Sequence, residues 1–165
     1  MKPRLTIAVG LPGSGKSTYL AGLGVQPISS DAIRLQLADD ETDQTIHAAV
    51  FATMRYLVRQ RIELKRPLTC VDATNLTRRD RKPFIELARS LGCDIEAVYF
   101  DTPLAVCKAR NAARARIVPD RVLDLMAAKL VPPSVEEGFS FVQVVDSGAE
   151  AVRRLPEKYP SRSAG

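Results

Sequence analysis

Tryptophan is absent from this sequence, and Phe, Trp and Tyr together make only 5% of its 165 residues. The rows of rings on which single-strand binders stack successive bases are therefore not evident. One histidine and three scattered cysteines (Cys70, Cys93 and Cys107) form no CxxC pair. That spacing argues against a zinc module and against a disulfide framework, and three free thiols suit a reducing compartment, so the cytoplasm is the expected location. No apolar run approaches the roughly 20 residues that span a bilayer. The opening Met1-Lys2-Pro3-Arg4 leads straight into a strand-like segment with no small-residue cleavage site. Neither a membrane span nor a signal peptide is expected. An Asn-Lys-x-Asp run that would read guanine is also missing, which disfavours a GTPase.

What remains is an ordinary globular composition, 45% apolar with net charge +5 and an isoelectric point near 9.3. This length suits one domain, expected over residues 1–155, with a polar, basic tail over 156–165 expected to be flexible. The basic balance suits a polyanionic partner without identifying one. Short β-branched runs alternate with helical stretches. Strands are expected at Arg4–Val9, Val25–Ser29, Leu68–Asp72, Asp94–Phe100 and Phe141–Val145. Helices are expected at Lys16–Leu23, Asp31–Leu37, Thr42–Leu64, from a cap at Thr77 to Leu91, from Thr102-Pro103 to about Arg114, and at Pro119–Leu130. Pro83 lies inside the fourth of these and predicts a kink or a later start. The alternation predicts an α/β fold, a five-stranded, mostly parallel sheet with helices on both faces.

The strongest chemical signal is Gly10-Leu11-Pro12-Gly13-Ser14-Gly15-Lys16-Ser17, which fits G-x-x-x-x-G-K-[ST] between a predicted strand and a predicted helix. Chance produces such a match in about 1% of chains this long or fewer, and the strand–loop–helix context makes it rarer still. Glycines let backbone N–H groups curl around phosphates, and the helix that follows adds its N-terminal dipole. Lys16 would reach the outer phosphates and Ser17 would ligate magnesium. The expected ATP-binding set is Gly10, Pro12, Gly13, Ser14, Gly15, Lys16, Ser17 and Thr18. The dinucleotide fingerprint fails for want of a third glycine at its spacing.

Three further segments follow strands. Asp31 can take a proton from an attacking hydroxyl, with Arg34 one turn on to hold acceptor or phosphoryl charge; the bland alternative is an N-cap aspartate with a surface arginine. Asp72 closes an apolar strand, as the acid beside magnesium does in P-loop proteins; the alternative is an Asx-turn. Arg110 and Arg114, four residues apart, would share a helix face and close on ATP phosphates; the alternative is a solvated basic helix. Because ligands bind beyond the carboxyl ends of parallel strands, the loop, Asp31, Asp72 and Asp101 should converge on one edge. A base at Asp31 also favours a hydroxyl acceptor, since phosphate acceptors are already ionised. His47 is expected at the surface or partly packed.

In their order, GLPGSGKST, ISSDAIR, DDETDQT, VDATNLTRRDRKP, VCKARNAAR and the late Glu137-Gly138-Phe139 resemble the P-loop polynucleotide 5′-hydroxyl kinases, in particular the kinase domain of the bacterial polynucleotide kinase-phosphatases, over roughly residues 5–145. The resemblance implies a P-loop kinase fold using ATP and magnesium, with Lys16, Asp31, Arg34, Arg110 and Arg114 catalytic. It makes Asp31 the general base on a 5′-hydroxyl and puts Arg34 at the acceptor end. Arg110 and Arg114 would belong to a lid over ATP, and Ser17 and Asp72 would serve the metal. Larger members carry phosphatase modules; no Asp-x-Asp-x-Thr motif occurs here. Basic residues near the same edge (Arg78, Arg79, Arg81 and Lys82, then Arg110, Arg114, Arg116 and Arg121) support a nucleic acid 5′ end as acceptor, with Arg78 and Arg79 expected to touch it. Two alternatives stay open: a small-molecule hydroxyl kinase acting on a sugar, nucleoside or antibiotic, and a nucleotide-binding regulatory module.

Overall fold

The computed structural model describes residues 2–145. Five strands alternate with helices: β1 Arg4–Val9, α1 Lys16–Ala21, β2 Ile28–Ser29, α2 Ser30–Ala38, α3 His47–Glu63, β3 Leu68–Asp72, α4 Arg78–Ser90, β4 Asp94–Phe100, α5 Leu104–Ala112, α6 Asp120–Lys129, a 3-10 turn Val135–Glu137 and β5 Phe141–Val145. The sheet runs β2-β3-β1-β4-β5, and every pairing is parallel. The expected domain limit at 155 and the tail 156–165 lie outside the described residues. Among those described, no helix is long and apolar enough to cross a membrane.

The period-two pattern of β1 explains the layers. Leu5, Ile7 and Val9 face one side, where they meet Val50, Met54 and Val58 of α3 and Phe84, Ile85 and Ala88 of α4. Ala8 faces the other side with Leu20 of α1, Cys70, Val98 and Phe100. Both faces are covered, as parallel strands require. From β1 the chain moves outward to β2, whereas from β3 it crosses β1 to reach β4. The connections therefore diverge between the carboxyl ends of β1 and β3, the place where open parallel sheets bind ligands.

Several boundaries differ from expectation, each for a local reason. β2 begins at Ile28 rather than Val25, because Pro27 has no N–H to give the ladder and pairing starts at Ile28 with Val71. α3 begins at His47 rather than Thr42. Asp40 Oδ1 accepts the Thr42 N–H at 2.9 Å, and Asp43 Oδ1 accepts the Thr45 N–H at 2.8 Å. These side-chain turns capture the N–H groups that a helix start would have oriented. α4 starts at Arg78 with Thr77 as N-cap in a reciprocal capping box with Asp80, and it continues through Pro83. α5 is capped by Pro103, not Thr102, and ends at Ala112; Thr102 instead donates its hydroxyl to the Ser14 carbonyl at 3.0 Å.

Arg81 is fully buried. Its Nε donates to Glu137 at 2.8 Å, and its NH1 donates to the carbonyls of Asn75, Leu76 and Val131. A buried guanidinium is tolerated only when paired and fully hydrogen-bonded. Here that condition ties the loop after β3 to the segment leading into β5. Arg81 is thus withdrawn from the basic surface cluster expected of it.

Candidate active site

The loop Gly10–Ser17 joins β1 to α1. Gly13 and Gly15 have φ of 80° and 100°, a region that side chains disfavour. A Cβ on Gly13 would also sit 2.6 Å from the Cys107 carbonyl oxygen. The loop is buttressed from β3: the Gly10 N–H donates to Thr74 O at 3.0 Å, and Asn75 Nδ2 donates to Ala8 O at 2.8 Å. Asn75 has φ 48°, which asparagine tolerates better than other side chains. Its structural duty was missed in the sequence; an asparagine in the turn after a strand was the available signal.

Lys16 is buried, and its ammonium donates to the carbonyls of Gly10 (3.1 Å) and Leu11 (2.8 Å). Burial lowers its pKa from 10.5 to about 8, against the pull of the Asp72 carboxylate and with a smaller push from Arg114. Ser17 Oγ donates to Asp72 Oδ2 at 2.7 Å. Asp72 thereby faces the loop from the end of β3, in a contact across 55 residues of chain.

Asp31 is not the N-cap of α2. Ser29 is, accepting the Ala32 N–H at 3.2 Å. Asp31 stands in the first turn with its side chain 47% exposed. Its Oδ1 is met by Arg34 NH1 at 3.4 Å and by Arg116 NH1 at 3.1 Å. Arg34 is buried, not a surface arginine, and its Nε has no hydrogen-bond partner.

These groups open on one cleft of about 830 Å³. Its wall includes Pro12, Gly13, Gly15, Lys16, Ser17 and Thr18 of the loop and first helix; Asp31 and Arg34 of α2; Asp72 of β3; and Arg110 of α5 with Arg114 and Arg116 of the turn that follows it. Gly10 and Ser14 sit behind that wall as the loop's support. Arg110 comes within 3.8 Å of where a Gly15 Cβ would stand. Arg114 lies past the end of α5, so the two arginines do not share a helix face; each lines the cleft from its own place, Arg110 on α5 and Arg114 in the turn after it. That turn is held by Asn111, which accepts the Val118 N–H at 3.0 Å and donates to the Val118 carbonyl at 2.6 Å. Arg78 and Arg79 are exposed on the first turn of α4 and do not line the cleft, and Asp101 is exposed beyond β4. His47 is exposed, stacks on Phe51 with ring centroids 4.4 Å apart, and lines the cleft. Counting lining side chains, Lys16, Arg34, Arg110, Arg114, Arg116 and Lys129 outnumber Asp31, Asp72 and Asp80 six to three. A concave, cationic wall of this kind concentrates anions.

The residues present fit a nucleoside triphosphate with a divalent cation. The loop offers N–H groups at a helix N-terminus, a buried ammonium, and in Ser14 a buried hydroxyl with no partner. Ser17 and Asp72 would hold magnesium, with phosphate oxygens and waters completing a set of oxygen ligands. Among the described residues no group of three or more His, Cys, Asp or Glu forms a metal cage.

Sheet order and loop together make this a P-loop kinase fold. A family profile described as AAA domain matches residues 5–133, and the chain belongs to that family. Among curated proteins it is similar to the L-seryl-tRNA(Sec) kinase of Methanococcus maripaludis, 21% identical over 155 residues, a match that takes in 90% of this chain and 60% of that protein. Among solved structures, one chain of the Pnkp1/Rnl/Hen1 RNA repair complex superposes with a TM-score of 0.66 at 22% identity, over 78% of this chain and 44% of that one. The Mycobacterium tuberculosis APS kinase CysC, solved with AMPPNP and APS, gives 0.59 at 19% identity over 87% and 88% of the two chains. Such identities speak for the fold, and the site must speak for the chemistry.

Proposed function

We propose that this chain is an ATP-dependent phosphotransferase that moves the γ-phosphoryl group of ATP to a hydroxyl, and that its acceptor is the 5′-hydroxyl end of a nucleic acid. One observation carries the reading. The half-exposed carboxylate of Asp31 opens on the same cleft as Lys16 and the Ser17–Asp72 pair, close enough to act electrostatically on the Lys16 ammonium. Loop N–H groups and Lys16 bind the β- and γ-phosphates, and Ser17 and Asp72 would hold a magnesium ion that would supply further charge screening there. Asp31 accepts the proton of the acceptor O–H as that oxygen attacks the γ-phosphorus. The bond from γ-phosphorus to the bridging oxygen breaks and ADP leaves. Arg110 and Arg114 face the charge that develops on the transferring group, where arginine contributes about 10³ to 10⁵ in rate.

Two things support a nucleic acid acceptor: the cationic cleft, and similarity to a kinase named for a seryl-tRNA and to a chain of an RNA repair complex. A small-molecule acceptor is the second reading, supported by the fold likeness to APS kinase and by the scarcity of aromatic residues. Transfer of labelled phosphate from ATP to 5′-hydroxyl DNA, 5′-hydroxyl RNA and small alcohols separates them. Labelled oligonucleotide is the expected product, and labelled small alcohols alone would select the second reading. Asp31→Ala is expected to abolish transfer with nucleotide binding intact; an alanine variant that still transfers near normally removes the base assignment.

A further inference from the structure

Arg116 lies outside the residues assigned above to ATP, yet it makes the shortest contact to the proposed base. It belongs to the turn between α5 and α6, and its NH1 crosses the cleft to Asp31 Oδ1 at 3.1 Å. The same oxygen meets Arg34 NH1 at 3.4 Å. Two guanidiniums thus share one carboxylate oxygen, which leaves Oδ2 for an acceptor proton and one positive charge in excess. Arg34 is 4% exposed, its Nε has no partner, and the residue lines the cleft. The nearby Asp40 carboxylate, which also feels Arg116, is already engaged by the Thr42 N–H and hydroxyl. Thr42, Gln44 and His47, on the wall beside Asp31, bring no carboxylate.

We infer that Arg116 is an acceptor-sensing latch: it holds Asp31 when no acceptor is bound, and it moves with Arg34 onto an anionic group adjacent to the acceptor's reacting hydroxyl. This rests on the reading of Asp31 as the acceptor-side base. Arg116 and Asp31 are 25% and 47% exposed, and ion pairs open to water to this degree are weakly held. A phosphate or carboxylate one sugar away from the hydroxyl can take the guanidinium in a bidentate grip that Asp31 Oδ1, already shared, does not offer. Exchange frees the base only when a charged acceptor has arrived. The lid then closes on both substrates at once, Arg110 and Arg114 toward the loop and Arg116 toward the acceptor. The acceptor class this selects is a hydroxyl with a neighbouring anion, which a polynucleotide 5′ end satisfies through its first internucleotide phosphate.

The probe pair is a nucleoside 3′-monophosphate and the same nucleoside without phosphate, both carrying a 5′-hydroxyl. The wild-type protein is expected to prefer the phosphorylated acceptor. Arg116→Ala should raise its KM about 10- to 100-fold, the loss of one charge-assisted contact, and so collapse the preference. Arg116→Lys should restore part of it. Without the latch, Asp31 is open to water, so acceptor-free ATP hydrolysis should rise in Arg116→Ala and fall back in Arg116→Ala/Asp31→Ala. A preference that survives Arg116→Ala, with hydrolysis unchanged, overturns the latch while leaving the kinase reading intact. Absence of transfer from wild-type protein to the probes and to every oligonucleotide and alcohol overturns the kinase reading itself, and the latch with it.

Discussion

Burying Lys16 makes nucleotide binding a proton-linked event. Its ammonium lies against its own loop, with a pKa lowered to about 8 by desolvation. A polyphosphate placed at Nζ restores the pKa, because the charged form gains a partner. If only the ammonium grips the phosphates, apparent affinity falls by 1 + 10^(pH−8). That factor is about 1.1 at pH 7 and about 11 at pH 9, so binding weakens about tenfold over the interval, or about 1.4 kcal/mol. Proton uptake on binding should be about 0.1 at pH 7 and about 0.5 at pH 8. Titration calorimetry with ATP and magnesium, at fixed pH in two buffers of different ionisation enthalpy, reads that number directly. Lys16→Arg, which stays charged throughout, should bind with a flat profile. The same depression has a sign for stability. Between about pH 8 and 10.5 the unfolded chain holds a proton that the folded one has shed, so the nucleotide-free fold gains stability as pH rises through that window. A wild-type affinity that is constant from pH 7 to 9, with no buffer-dependent heat, would refute the reasoning.

Other perturbations test the frame around this loop. Gly13→Ala forces a side chain into φ 80° and to within 2.6 Å of the Cys107 carbonyl; thermal melts should show a loss of about 1–2 kcal/mol or more, together with lost ATP binding. Arg81→Met leaves the Glu137 carboxylate buried without its guanidinium and takes a donor from the carbonyls of Asn75, Leu76 and Val131, of which Leu76 keeps the Val131 N–H; denaturant titration should show about 3–5 kcal/mol lost, partly recovered in Arg81→Met/Glu137→Gln. Asp72→Asn removes the charge facing Ser17 and Lys16; magnesium titration of the activity should shift upward about tenfold, and the calorimetric proton uptake should move to lower pH.

The sequence made the frame legible because its signals are local and periodic. β1, β3, β4 and β5 read correctly from short apolar runs, and the glycine-rich loop announced itself between a strand and a helix. What escaped was decided by side chains reaching backbone. The Asp40 and Asp43 turns shortened α3, and Asn111 folded the lid turn that a periodic reading continues as helix to Arg114. Arg81 looked like a surface cation because it stands in a basic cluster with Arg78, Arg79 and Lys82; only the tertiary fold reveals Glu137 waiting 56 residues away. Arg34 was read for its charge, but its burial could not be seen before α2 met the sheet.

The lid turn is where these threads meet. Residues 113–119 contain Arg114 and Arg116 and hang from the end of α5. Asn111 clamps them at one side, and Lys108 pairs with Asp124 of α6 at 2.7 Å on the outer surface. The turn itself adds little apolar burial: Ile117 is 61% exposed, and the small apolar cluster of Leu11, Leu76 and Cys107 with partly buried Met126 includes none of residues 113–119. An element held by a few polar contacts and little buried apolar area opens at low cost. The P-loop, by contrast, is fixed by Thr74, Asn75 and the sheet. On the proposed kinase reading, a rigid cradle for the triphosphate beneath a loosely hung arginine turn would let the catalytic arrangement complete itself only when anions fill the cleft. On that same reading, closure would be driven by substrate charge rather than by packing, which fits the placement of the six lining cations on the turn after α5 as well as on the frame.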